Sequence, residues 1–188
     1  MFLMPPLKVL EVPEPEMQTA RAKRSTDNFL VELGLVDAPT DLAFDKFTKL
    51  VTLVLKVPVA LVSFVEEDRD RQFFKSQIGL TGNCAEQRCT PQSHSFCQFV
   101  KRDNRPLIIE DAPADSRVCG NLAIADLGVK AYLGVPIHGP RDVALGALCA
   151  IDSVLRKWTL DEVDTMVHLA ACVTDQIKLR NALLRILA

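Results

Sequence analysis

The chain has no long apolar run, no surplus of one charge, no basic start, no glycine-rich phosphate loop and no closely paired cysteines. Each absence removes a class of function. Without a stretch near 18 uninterrupted apolar residues, nothing in it reads as a membrane-spanning helix. A formal net charge of −2, from 22 Lys and Arg against 24 Asp and Glu, leaves no electrostatic footprint for nucleic acid. The longest basic cluster, RAKR at residues 21–24, is followed by Ser25, Thr26 and Asp27 and fits a solvated helix face. The opening MFLMPPLKVLEVPEPEM lacks a basic n-region and is broken by prolines. It is not a secretory signal, so the cytoplasm is the expected compartment. GLTGN at residues 79–83 is a polar turn, not a phosphate cradle. No internal repeat appears.

What is present describes one soluble domain with extensions. Hydrophobic residues make up 48% of the chain and charged residues 24%, an ordinary globular balance over 188 residues. Residues 1–18 are proline-rich and acidic and read as a flexible leader, with a single domain over 19–188. A helix is expected over 19–33, stopped by Gly34. A second begins near Asp41, with Phe47, Leu50, Val51, Val54 and Leu55 as its apolar stripe, and Val57-Pro58 ends it. Strands follow at 59–65 and 71–77; in the latter Gln72, Phe74 and Ser76 share one face by alternation. Residues 79–92 form a polar loop, 93–101 a short helix, 107–110 a strand, and 112–127 an irregular segment with helical turns. Two apolar strands joined by GPRD, at 139–142, make a hairpin over 131–152.

The chain closes on a long helix over 160–188, opened by the capping box Thr159-x-x-Glu162, with Trp158 as a hydrophobic staple on Val163. Val163, Ala170, Ile177 and Leu184 recur every seven residues, while Met166, Val173, Arg180 and Leu187 repeat three places on. A helix apolar on two sides must bury two sides. One stripe can cover the sheet, and the first series is expected to pair with the same helix of a second molecule. Of six cysteines, Cys149 lies inside the strand LGALCAI and Cys172 in the terminal helix. Both read as buried, reduced thiols acting as small hydrophobes, with no disulfide in the chain.

Strands followed by helices give an α+β arrangement. Four segments sharpen this: RQFFKSQIGL at 71–80, SFCQFV at 95–100, PLIIEDAPADSRVCGN at 106–121, and AYLGVPIHGPRDVALGALCAID at 131–152. In that order and spacing the chain, over roughly residues 20–185, resembles a GAF domain of the type found in bacterial sensor histidine kinases and diguanylate cyclases. The resemblance implies a PAS-like fold, with a five- or six-stranded antiparallel sheet, terminal helices on one face and pocket loops on the other. It also implies a ligand pocket lined by Phe74, Ser76, Cys97, Asp111, Arg117, Tyr132 and Pro136. The competing reading is a pocket filled by the protein's own side chains.

Cys84, Cys89, His94 and Cys97 are metal-ligand types, but C-x4-C, x4, H-x2-C is not the paired spacing of structural zinc, and no metal is expected. Some GAF proteins reduce free methionine sulfoxide with cysteine nucleophiles. Cys84, Cys89 and Cys119 lie in loops around the implied pocket, although their spacing departs from that branch. Bilin attachment would need a histidine after the helix cysteine, and Cys97 is followed by Gln98. For haem, His94 is the candidate in the right region; His138 and His168 lie elsewhere. The Asn-Lys-Phe-Asp-Glu set of cyclic-nucleotide GAF domains is not found. Asp111, Asp115 and Arg117 read either as an ion-paired latch or as caps of helical turns.

The function expected is a non-catalytic, cofactor-free sensory module. A small ligand in the pocket would shift the paired terminal helices of a homodimer, and so control an output domain in cis or trans. A thiol-dependent sulfoxide reductase is the alternative. Neither nucleic acid nor membrane is an expected partner.

Overall fold

The computed structural model describes residues 26–187. The leader at 1–18, the beginning of the first helix and Ala188 lie outside the described residues. Within them the chain runs from α1, helical over 26–32, to α2 (Leu42–Leu55), β1 (Val59–Glu66), β2 (Arg71–Ile78), α3 (Gly82–Gln87), β3 (Cys89–Pro91), α4 (Cys97–Asp103), β4 (Leu107–Ile109), α5 (Ala123–Asp126), β5 (Ala131–His138), β6 (Ala144–Asp152) and α6 (Leu160–Leu187). Six strands form one antiparallel sheet in the order β3-β2-β1-β6-β5-β4. The α+β architecture is therefore the one the strand and helix patterns predict. The polar loop expected at 79–92 instead holds α3 and the edge strand β3. Three residues are too few for alternation to announce a strand.

The sheet buries both faces. On one, Ala60, Val62, Phe64, Leu133, Val135 and Ile137 pack beneath α1, α2 and α6. On the other, Leu61, Val65, Phe74, Tyr132, Ala147 and Cys149 pack beneath α4 and the segment from Ile109 to Val129. Helix ends are set locally. Leu35 N donates to Leu30 O and Gly34 N to Val31 O, with Gly34 at φ +61, closing α1 by a left-handed glycine cap. Asp41 Oδ1 accepts from Ala43 N at 3.0 Å to start α2. Glu162 Oε2 accepts from Thr159 N at 2.8 Å, and Thr159 Oγ1 accepts from Glu162 N at 3.2 Å, completing the capping box of α6. Trp158 joins the helix-side core with Val163 packed against it, and its Nε1 donates to Ile109 O at 3.0 Å.

Both apolar stripes read from the helices need correction. In α2 the buried residues are Phe44, Thr48, Val51 and Leu55, whereas Leu50 and Val54 are exposed. The true stripe is hidden because one of its members is polar: Thr48 Oγ1 lies 2.8 Å from Ser76 Oγ, so its hydroxyl is satisfied inside. In α6 the buried residues are Met166, Ala170, Val173, Thr174 and Ile177. Ala170 and Ile177, expected to face a second molecule, are 1% and 0% exposed within this chain's own core. Val163 packs partly against that core and Leu184 is exposed. Cys172 is exposed as well, correcting its expected burial; it sits about 100° around the helix from Val173.

Arg180 does not interrupt an apolar seam but fastens α6 to α2. It ion-pairs with Asp41, donates to Leu33 O at 3.3 Å, and stacks over Phe44 with its guanidinium carbon 5.4 Å from the ring centre. Residues 182–187 are all exposed, so the end of α6 projects beyond the sheet with Leu183, Ile186 and Leu187 outward.

Candidate functional site

A small apolar cavity of about 50 Å³ lies on the sheet face away from α6. Its floor is Val59 and Leu61 of β1, Gln72 and Phe74 of β2, Tyr132 of β5 and Ile151 of β6. Its roof is His94, Phe96 and Cys97 at the entry to α4, with Ala123, Leu127 and Val129 around α5. The roof segments are tied to each other. His94 Nε2 lies 2.9 Å from Asp126 Oδ2, Leu122 N donates to Ser93 O at 3.0 Å, and Asn121 Nδ2 donates to Ser95 O at 3.0 Å. His94 and Leu127 also border an outer cleft of about 280 Å³, which holds Thr81, Cys84, Cys89 and Asp126. His94 and Leu127 thus stand between the cavity and the open cleft.

The polar groups that line the cavity are satisfied. Gln72 Nε2 donates to Thr90 Oγ1 at 2.9 Å, and its Oε1 accepts from Ser95 Oγ at 2.6 Å. Tyr132 OH donates to Cys97 Sγ at 3.3 Å, and Cys149 Sγ lies 3.8 Å from Cys97 Sγ. Tyr132 reaches the thiols because its ring lies across Gly134; a Cβ there would sit 2.2 Å from the tyrosine oxygen. Donation from the Cys149 thiol, helped by Ser63 and Tyr132, draws the Cys97 pKa down against the opposing cost of burial. Burial, with the neighbouring sulfur atoms, pushes Tyr132 and Cys149 well above their ordinary values. Both therefore stay protonated as donors.

Of the seven residues the resemblance implied for the pocket, Phe74, Cys97 and Tyr132 line this cavity and the other four do not. Ser76 is the informative miss. Val62 pairs with Ser76 but Ser63 pairs with Phe74, so Lys75 is an extra residue on β2. The bulge reverses alternation after Phe74 and turns Ser76 to the helix face, where its Oγ donates to Asp45 Oδ1 at 2.7 Å. Lys75 points the same way, donating to Gly34 O at 2.7 Å and Pro39 O at 3.0 Å. Pro136 pairs with Ala147 on the cavity face but farther along β5. Asp111 accepts from Ala114 N and caps the turn that follows β4. Arg117 forks onto Asp115 at 2.6 and 2.9 Å and donates to Ile108 O, a latch outside the cavity. Those charge-assisted bonds hold the Asp115 pKa below the usual carboxylate range.

Gln72, facing the cavity one place before Phe73, was legible from alternation. Leu80 and Leu127 carried no sequence signal. Cys84, Cys89, His94 and Cys97 do not converge, and no group of three or more His, Cys, Asp or Glu among the described residues is arranged to hold a metal. All six cysteines are free thiols. No helix among the described residues is long and apolar enough to cross a membrane.

The pattern that identifies GAF domains matches residues 39–177. The chain is 29% identical over 157 residues to a cyclic di-GMP phosphodiesterase of Pseudomonas aeruginosa, an alignment covering 82% of this chain and 26% of that protein. It therefore spans about a quarter of the length of the curated relative it matches. Among solved structures it is similar to the GAF domain of an Acinetobacter phosphoenolpyruvate-protein phosphotransferase, with TM-score 0.61 and 18% identity over 92% of this chain and 98% of that one. It is also similar to the free methionine-R-sulfoxide reductase of Neisseria meningitidis in complex with its substrate, with TM-score 0.59 and 10% identity over 90% and 93% of the two chains. At these identities the two structures share the fold.

Proposed function

The chain belongs to the GAF domain family, and on that premise we propose that it is a non-catalytic sensory module. A small uncharged ligand enters between the sheet and the α4–α5 roof, and α6 carries the result to an output domain, in cis or in trans. The observation that carries this reading is the small apolar cavity beneath a roof held by three tertiary polar contacts. Ligand pockets run to about 300 Å³ or more, so binding requires the roof to lift and His94 and Leu127 to part. A lining whose polar groups are already satisfied favours a neutral, largely apolar guest over a charged nucleotide.

The sheet connects that event to α6, because β5 and β6 carry cavity residues on one face and α6 contacts on the other. The last turns of α6 present Leu179, Leu183 and Ile186 to the outside. In this reading they, and not Ala170 and Ile177, pair in a homodimer and join an output of histidine kinase or diguanylate cyclase type. The phosphodiesterase relative is consistent with a further enzymatic output of that signalling class.

Native mass spectrometry of freshly purified protein tests the proposal by reading ligand and oligomer together. A retained small molecule, or uptake of one from a panel of small neutral compounds, is expected. A bare monomer that takes up none of them would overturn it. The reductase alternative rests on Cys84 and Cys89 facing the outer cleft. Turnover of free methionine sulfoxide with a thioredoxin system would establish it in place of the sensory reading.

A further inference from the structure

The thiols beneath the cavity have a geometry that ligand binding does not use. Cys97, on the first turn of α4, and Cys149, in the middle of β6, come from elements 52 residues apart and place their sulfur atoms 3.8 Å from each other. Both are almost fully buried, at 2% and 0% exposure. Buried cysteines are commonly inert fillers, but three features distinguish this pair. Cys97 borders the cavity, which has room for a molecule of water size. Tyr132 OH donates to its sulfur at 3.3 Å. The Ser63 hydroxyl is a neighbouring group that favours the Cys97 thiolate, yet it is buried with no hydrogen-bond partner of its own among the described residues. Three potential donors thus surround one sulfur and leave the other as the protonated partner.

We infer that Cys97 and Cys149 form a hydroperoxide-oxidisable pair, with Cys97 as the attacking thiol and Cys149 as the resolving one. The Cys97 thiolate attacks the distal oxygen of hydrogen peroxide. The O–O bond breaks, a sulfenic acid forms, and the departing hydroxide takes the proton Cys97 has released, leaving as water. Cys149 then attacks the sulfenic sulfur. The S–S bond forms, the S–O bond breaks, and the hydroxide leaves with the Cys149 proton as a second water. Two thiols lose two electrons, which reduce one peroxide to two waters; an external dithiol reverses the change. The cavity acts as the filter, admitting a peroxide of nearly water size and excluding bulky disulfide reagents.

Closing the pair draws the start of α4 onto β6, beneath the roof of the ligand cavity. Oxidation therefore acts on the proposed sensory face, but the site stands on its own geometry whether or not a ligand binds there.

The test uses the full chain in two forms: wild type, and a variant with Cys84, Cys89, Cys119 and Cys172 each changed to Ser. Folded protein is treated with hydrogen peroxide, unfolded in an alkylating agent, and mapped by peptide mass spectrometry. The expected product in both forms is a peptide pair joined through Cys97 and Cys149, lighter by two hydrogens and released by a dithiol. A bulky aromatic disulfide reagent should leave both thiols untouched in the native state. In a Cys149→Ala chain, peroxide treatment of the folded protein followed by unfolding in dimedone should leave a dimedone thioether on Cys97, formed at the sulfenic sulfur with its oxygen lost as water. Full alkylation of both cysteines after peroxide treatment of folded wild type would overturn the inference. Joining of Cys97 to any other cysteine would overturn it equally. The chemistry is read without a ligand, so its failure leaves the sensory proposal standing, and failure to bind a ligand leaves the oxidation standing.

Discussion

Replacing Ile177 with Ala should destabilise the monomeric domain severely, whereas replacing Leu179 with Ala, two residues on, should barely be felt. Ile177 is 0% exposed and packs in the core beneath the sheet, while Leu179 is 55% exposed. Truncating a buried isoleucine to alanine removes its transfer free energy and leaves a void, together worth about 2–5 kcal/mol. A surface truncation usually costs less than about 0.5 kcal/mol. Against a typical total of about 5–15 kcal/mol, the first is a large fraction. With a urea slope near 2 kcal/mol/M, the Ile177→Ala midpoint should fall by about 1–2.5 M and the Leu179→Ala midpoint by less than about 0.3 M. Urea unfolding followed by circular dichroism at low micromolar concentration reads both, with the slope checked for constancy. If Ile177→Ala keeps the wild-type midpoint but dissociates a dimer, the helix is docked on the wrong stripe and the reasoning fails.

Other consequences follow from single contacts. Glu66 is fully buried, held by Arg71 Nε at 2.6 Å and faced by Arg69 Nη1 at 3.3 Å, so replacing both arginines with Met should strand a carboxylate and cost about 3–5 kcal/mol in urea unfolding; a loss under about 1 kcal/mol would show that water reaches Glu66. Gly134→Ala puts a methyl group into the Tyr132 ring, and should cost about 1–3 kcal/mol and shift the Tyr132 ring resonances. Unchanged tyrosine signals would contradict that packing. In native thiol titration, Cys119 and Cys172 should label at once and Cys97 and Cys149 only on unfolding; rapid labelling of Cys149 would contradict its place in the core. Asp41 has its pKa lowered: burial opposes ionisation, but hydrogen bonds from Ala43 and Arg180 and the charges of Arg180 and Lys75 outweigh it. A depressed carboxylate stabilises the fold above its unfolded pKa of about 4 and loses that contribution as pH falls through the lower folded value. The stability drop between pH 5 and pH 3 should therefore be smaller in Asp41→Asn, and an identical drop would remove the Asp41–Arg180 tie from the account.

The architecture was legible wherever a local pattern and a tertiary role agreed. The hairpin of β5 and β6 alternates cleanly around a polar turn, and the capping box at Thr159 opens α6 where expected. Reading failed where a polar residue does an apolar residue's job or where the chain slips by one residue. Thr48 occupies the buried stripe of α2, so the stripe appeared to run through Leu50 and Val54. Lys75 is inserted into β2, so Ser76 turned away from the cavity although its spacing from Phe74 is even. In α6 both stripes are apolar, and periodicity cannot say which one meets the sheet. Arg180, which stands in the second heptad series, is a bond between two helices and not a member of an apolar seam. Phe74, Cys97 and Tyr132, which the resemblance implied, line the cavity from β2, α4 and β5. Leu80 and Leu127 complete the cavity from connecting segments whose approach depends on the whole fold.

In the proposed mechanism, occupancy of the cavity is felt at the end of α6. Amide chemical shifts of the isotopically labelled chain, followed during titration with a panel of small neutral compounds and with cyclic nucleotides as a charged comparison, test it most directly. A neutral compound should move the signals of Phe74, His94, Cys97, Leu127 and Tyr132, and with the same midpoint those of Leu179, Leu183 and Ile186, while the nucleotides should move neither set. Binding confined to the cavity, with the α6 signals unchanged at saturation, would contradict it.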